Sequence, residues 1–166
     1  MRNPTDGQGK ILERAILRAL SGEGAHASTT TLFDDLDWRA AGKRPRASPY
    51  SVFQLLNHMI YWQEWALEWL DGTTRPLPQH ASGSWPGKSK PAGEKEWEAA
   101  LERFRSGVKR LARLAGKTDW FSKRGARSRL EMVHTIASHN SYHAGQVVVL
   151  RQALGRWPPP SGGLTW

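Results

Sequence analysis

The sequence predicts an all-α protein, an up-and-down type four-helix bundle with a long loop between its second and third helices. Three observations carry that prediction. Four long segments repeat their apolar residues at helical spacing, the segments start and stop on capping residues, and no strand-like alternation of useful length appears in the 166 residues. There is no internal repeat and no low-complexity stretch. The length suits a single domain, residues 1–166, with enough core to fold alone.

The first segment, roughly Gln8 to Leu20, gathers Leu12, Ile16, Ala19 and Leu20 on one side. A short turn of helix is expected around Thr31 to Leu36. The second long helix is predicted to start sharply, with Ser48 as N-cap and Pro49 at the first helical position, where no amide partner is needed. It runs to about Leu70, and Gly72 can adopt the left-handed conformation that ends it. Thr73 to Lys90 follows, rich in Pro, Gly and Ser and carrying Trp85. That is long for a structureless loop in a compact domain. The third helix, Glu94 to Ala115, places Trp97, Leu101, Phe104, Val108 and Leu111 inward and stops at Gly116. The last opens on Ser128-Arg-Leu-Glu131, a capping box in which each side chain reaches the other's backbone amide. It ends near Leu154, where Gly155 and Pro158-Pro-Pro160 prevent continuation.

Composition narrows the function. Zero Cys excludes disulfides, thiolate metal ligands and a cysteine nucleophile of the chain's own. No apolar signal core follows Met1-Arg-Asn-Pro-Thr-Asp and no run approaches a membrane span, so a cytoplasmic location is expected. The formal charge is +9. Ten basic residues fall between Arg103 and Arg129, with Asp119 the only acid among them. Arg103, Arg110, Arg113 and Lys117 lie opposite the apolar positions, which reads as a solvated helix face. A nucleic-acid patch is the sharper alternative, but no Gly-rich RNA motif, finger spacing or helix-turn-helix pattern accompanies it.

The chemistry points to histidine. In His139-Asn-Ser-Tyr-His143 the two rings lie about 40° apart around a helix axis, so both can reach one point. They occupy the apolar stripe Met132, Ile136, His139, His143, Val147, Leu150, Leu154, where Leu or Val would be expected. On the second helix His58 likewise interrupts the stripe Leu55, Trp62, Trp65, Trp69. A buried ring is costly unless its nitrogens find partners. Three rings on two inward faces could meet that demand by binding one divalent ion, Zn²⁺ or Ni²⁺, with a fourth position left for water or substrate. Tyr142 and Gln146 flank the pair and could orient ligands or substrate. Trp62, Trp65 and Trp69 read as core, and Trp62, one turn from His58, as a candidate pocket wall. Trp85 is a candidate lid or a pin for the long loop. His134 lies off the stripe, and His26 and His80 read as surface residues, His26 being the reserve ligand. Glu64 lies off the face of His58 and is not recruited as a base. No catalytic residue is assigned.

These residues also resemble a known family. Ala137-Ser-His139-Asn-Ser-Tyr-His143-Ala-Gly145-Gln146, then Leu150-Arg-x-x-Leu-Gly155 and Trp157-Pro-Pro, resemble the C-terminal signature of the DinB/YfiT-like superfamily, which is distinct from the DNA polymerase sharing the DinB name. Ser48-Pro49 leading to Leu55-Leu-Asn-His58 resembles the segment with its first histidine. The resemblance covers essentially the whole chain. It implies a four-helix bundle, a divalent metal held by His58, His139 and His143, and a homodimer. Characterised relatives include bacillithiol S-transferases and a mycothiol-dependent maleylpyruvate isomerase, so it also implies a low-molecular-weight thiol as co-substrate.

Two functions from different classes are therefore expected to compete. One is a metal-dependent enzyme on a small-molecule substrate, a thiol-dependent transferase or a hydrolase using activated water. The other is a non-catalytic dimeric helical module whose metal is structural. The coordination shell separates them: three protein ligands beside a pocket favour catalysis, and a fourth that closes the shell favours structure.

Overall fold

A computed structural model describes residues 6–46, 48–73, 75–115, 119–160 and 162. The chain forms α1 (Asp6–Ser21), a short α2 (Trp38–Ala41), α3 (Val52–Leu70), α4 (Glu94–Ala115), a two-residue-per-strand hairpin β1–β2 (Lys123–Arg124 and Arg127–Ser128), and α5 (Arg129–Ala153). The all-α bundle with its long connection is present. The four long helices pack with α3 against α4 and α5, and α1 against α5 and α4.

The direction of the helices follows from cross-helix pairs. Glu64 meets Arg103 at 2.7 Å and Asp71 meets Arg110 at 3.0 Å, so a step of seven along α3 matches a step of seven along α4. These two helices are parallel, because the connection 71–93 returns the chain to the starting end, where a short turn would have made them alternate. Against α5 the relation reverses: His58 faces His139, and Leu70 accepts from Arg129 at 3.0 Å. The connection is not structureless. It carries a 3-10 turn at Ala81–Ser84 and is tied to α3, with Ser51 donating to the Ser89 carbonyl.

Local chemistry moved two boundaries. The second long helix starts at Val52, not at Pro49. Ser51 accepts from the Gln54 amide while Gln54 Oε1 accepts from the Ser51 amide, each at 3.1 Å, a reciprocal pair that Ser48 lacks because Ser51 stands three residues after it. Ser48 instead closes a local turn on Tyr50, through that residue's amide and carbonyl. Thr31–Asp35 forms hydrogen-bonded turns rather than helix. The short helix lies at Trp38–Ala41, capped by the Asp37 carboxylate on the amides of Arg39 and Ala40. The Ser128–Glu131 capping box forms as the sequence predicts, and Gly72 (φ 94°) and Gly155 (φ 65°) take the left-handed backbone just past α3 and α5. Gly116 and Lys117 lie outside the described residues.

The core divides into two apolar clusters. One joins the start of α3 (Val52, Leu56, Met59), the start of α4 (Trp97, Phe104) and the end of α5 (Val147, Leu150). The other joins α1 (Ile16, Leu20), the end of α3 (Ala66, Leu67), Leu111, and the start of α5 (Met132, Ile136). Trp62, Trp65 and Trp69 do not fill the centre. They are half-buried against the second cluster, while Gln63, Ala66, Leu67 and Leu70 take the interior, because α3 turns a broader face inward than the tryptophan stripe marks.

Half of the basic stretch is engaged within the bundle. Arg103 and Arg110 are exposed but paired with α3, Arg105 bonds Asp34 at 2.6 Å, and Arg124 and Arg129 donate to the Trp69 and Leu70 carbonyls at the C-terminus of α3. Cations are favoured there by the helix dipole and by carbonyls with no partner inside the helix.

Candidate metal centre

On α5 the break between the two apolar clusters falls where His139 and His143 stand, and on α3 His58 faces it. Burial there is a consequence of the stripe: His58 and His143 are 6% and 5% exposed, and His139 is half-buried. The three rings converge, with one ligand-capable nitrogen from each lying within 4.8 Å of the others. Ring centroids are 4.4 to 5.1 Å apart. Among the described residues no carboxylate and no fourth histidine joins them.

Each ring is oriented differently. His58 Nδ1–H donates to the Ser84 carbonyl at 3.1 Å, which leaves Nε2 as a lone pair facing the cluster. His143 Nδ1–H donates to Gln146 Oε1 at 2.7 Å, freeing its Nε2 in the same way. His139 Nε2 lies 3.2 Å from His58 Nε2. Two nitrogens bound tetrahedrally to one ion at about 2.0–2.1 Å would be separated by about 3.3–3.4 Å, so this spacing fits a shared ion with little movement. His139 Nδ1 is buried without a hydrogen-bond partner, making it the least restrained of the three. The donor set, three neutral imidazoles, suits Zn²⁺, Ni²⁺ or another late divalent ion.

Electrostatics keep the rings neutral. Burial pushes His58 from its ordinary 6.5 down to about 4, opposed by the bond to Ser84 and assisted by His143. His139 is pushed to about 4 by burial and then by the neighbouring rings, and His143 is lowered by burial as well. Neutral imidazole is the form that binds a metal.

Trp85 covers the cluster. Its indole stacks on His58 at 3.9 Å with planes 10° apart, and Tyr50 stacks on its other side at 3.7 Å. The long connection thus supplies both the carbonyl that orients His58 and the ring that shields it. Trp62 stands edge-on to His58 and His139, 6.4 Å from each. Tyr142 is 66% exposed, its ring edge-on to His143. His26 does not join: its Nδ1–H donates to the Ala27 carbonyl and its Nε2 accepts from Ser141, both at 2.8 Å. His134 and His80 are exposed, and Glu64 is held by Arg103. Sequence reasoning missed two participants. The Ser84 carbonyl has no side-chain signature, and Tyr50 was visible only as an aromatic beside Pro49.

Residues 22–147 match the family model described as the DinB superfamily. Neither the search of curated proteins nor that of solved structures returned a match. No helix among the described residues is long and apolar enough to cross a membrane.

Proposed function

This chain belongs to the DinB superfamily, and on that premise we propose that it is a divalent-metal-dependent enzyme acting on small molecules, with a thiol-dependent transfer as the reaction. The observation that carries the reading is the convergence of His58, His139 and His143 with no fourth protein ligand among the described residues. A shell of three imidazoles leaves a position for an exogenous group, as catalytic sites do and structural sites do not. When bound, the ion supplies Lewis acidity, which favours the deprotonated form of a water or thiol.

The chain's own residues do the remaining work. Ser84 and Gln146 hold two rings by the nitrogen that faces away from the cluster, fixing tautomer and direction. Trp85 and Trp62 surround the rings with aromatic surface that keeps bulk water from them. Among the described residues no carboxylate joins the cluster, and the chain has no cysteine. An attacking thiol therefore comes from a co-substrate.

The test is elemental analysis of the purified chain and of His139→Ala, followed by conjugation assays with several low-molecular-weight thiols and electrophiles. One divalent ion per chain, lost in the variant, together with metal-dependent thiol consumption, supports the proposal. Full retention of metal by His139→Ala removes the ligand set, and metal without thiol consumption removes the transfer.

A further inference from the structure

We infer that the cavity beside the histidine cluster is a binding site for an uncharged, largely apolar small molecule carrying a hydrogen-bond acceptor, which Gln146 recognises. The cavity is about 450 Å³ and lies between the start of α3 and the end of α5, walled chiefly by Pro45, Pro49, Tyr50, Tyr142, Val149 and Leu150. None of the residues lining it is acidic, basic or histidine, in a chain with 24 Lys and Arg and 15 Asp and Glu. A phosphate or carboxylate buried there would meet no cation among the described lining residues, and the nearby Arg44 guanidinium is turned to the Pro49 carbonyl at 3.5 Å, so anionic ligands are disfavoured. A flat aromatic or branched aliphatic body fits walls of this composition.

Its polar handle is already aimed. Gln146 lines the cavity while its Oε1 is held by His143, which leaves Nε2, a donor, with no hydrogen-bond partner among the described residues. A carbonyl or ether oxygen on the occupant would complete that amide. The cavity stops one residue short of the histidines but touches what holds two of them. Gln146 supports His143, and Tyr50 forms the outer layer of the stack over Trp85 and His58. An occupant would therefore lie beside the metal centre rather than on a remote face. The inference rests on the proposed metal chemistry only in treating the occupant as a substrate.

The experiment titrates prodan, a neutral naphthyl ketone, into the full chain in metal-loaded and chelator-stripped forms, alongside Gly145→Phe and Gln146→Leu. Gly145 lines the cavity in mid-helix, and a Cβ built there meets nothing within 4 Å, so a side chain can start from this wall without a clash at its root. Removing a mid-helix glycine favours the helix, and far-ultraviolet circular dichroism checks that Gly145→Phe folds. Expected is one prodan per chain with blue-shifted emission in both forms. Gly145→Phe should abolish it, Gln146→Leu should weaken it roughly tenfold, the worth of one hydrogen bond, and the anion anilinonaphthalene sulfonate should fail to compete. Absence of binding, indifference to Gly145→Phe, or equal competition by the anion overturns the inference. So does sedimentation showing a dimer that Gly145→Phe splits, since a second copy would then fill the cavity. Metal content of the chain before stripping separates the two readings: a chain that takes up no metal yet binds prodan refutes only the chemistry, and a chain that takes up metal but binds no prodan refutes only the cavity.

Discussion

Lowering the pH should destabilise the metal-free protein well before its carboxylates titrate. His58 and His139 sit at about 4 in the folded chain and have an ordinary value of 6.5. Because the folded value is depressed, the unfolded chain binds the extra protons. The stabilisation is complete above about pH 6.5 and is lost as the pH falls towards about 4. At about pH 5 an unfolded imidazole has gained roughly 1.5 pH units of protonation free energy and the folded one almost none. At about 1.4 kcal/mol per unit this is about 2 kcal/mol for each ring, or about 4 kcal/mol for the two between about pH 7 and pH 5. Asp37, Glu96 and Glu131 are held low first by backbone N–H donors and contribute in the same direction, but their ordinary values of 3.8 to 4.5 put most of that loss lower in pH. The assay is urea unfolding of chelator-stripped protein across this interval, beside a His58→Phe/His139→Phe double variant. A wild-type loss below about 1 kcal/mol, or an equal loss in the double variant, would refute the claim that these rings are folded in neutral and dry.

Three further outcomes follow from particular contacts. Gln146→Leu releases His143 Nδ1 and should weaken metal binding by about 10- to 100-fold in competition with a chromophoric chelator, with the urea midpoint little changed. Trp85→Ala removes both stacks and wets His58. It should cost about 2 kcal/mol by urea unfolding, less than a fully buried Trp because Trp85 is half-exposed, and it should shrink the pH dependence above. Arg151, 1% exposed, donates to the carbonyls of Leu32 (2.6 Å), Asp34 (2.8 Å) and Arg156 (2.9 Å), fastening the chain before α2 and the chain after α5 to α5 itself. Arg151→Met takes the donor from the carbonyls of buried Leu32 and half-buried Asp34, and from that of exposed Arg156, and should cost about 2–3 kcal/mol, measured the same way.

Some of this protein is written locally and some is not. The capping box Ser128–Glu131, the start of α4 at Glu94 and the stop at Gly72 depend on residues within four positions of one another, and sequence alone determined them. The histidines were found because polar residues broke apolar stripes, a local anomaly that burial makes expensive. The start of α3 was misplaced because Ser48 and Ser51 both look like caps, and only the reciprocal bond with Gln54 separates them. Tertiary structure alone decided that α3 and α4 run parallel, because nothing in residues 71–93 states where that connection leads. It also decided that the Ser84 carbonyl holds His58 and that Trp85 covers the cluster, since a backbone group and a loop side chain acquire partners only when distant segments meet. Periodicity marks which face turns inward, while what stands opposite that face depends on packing between residues far apart in the chain.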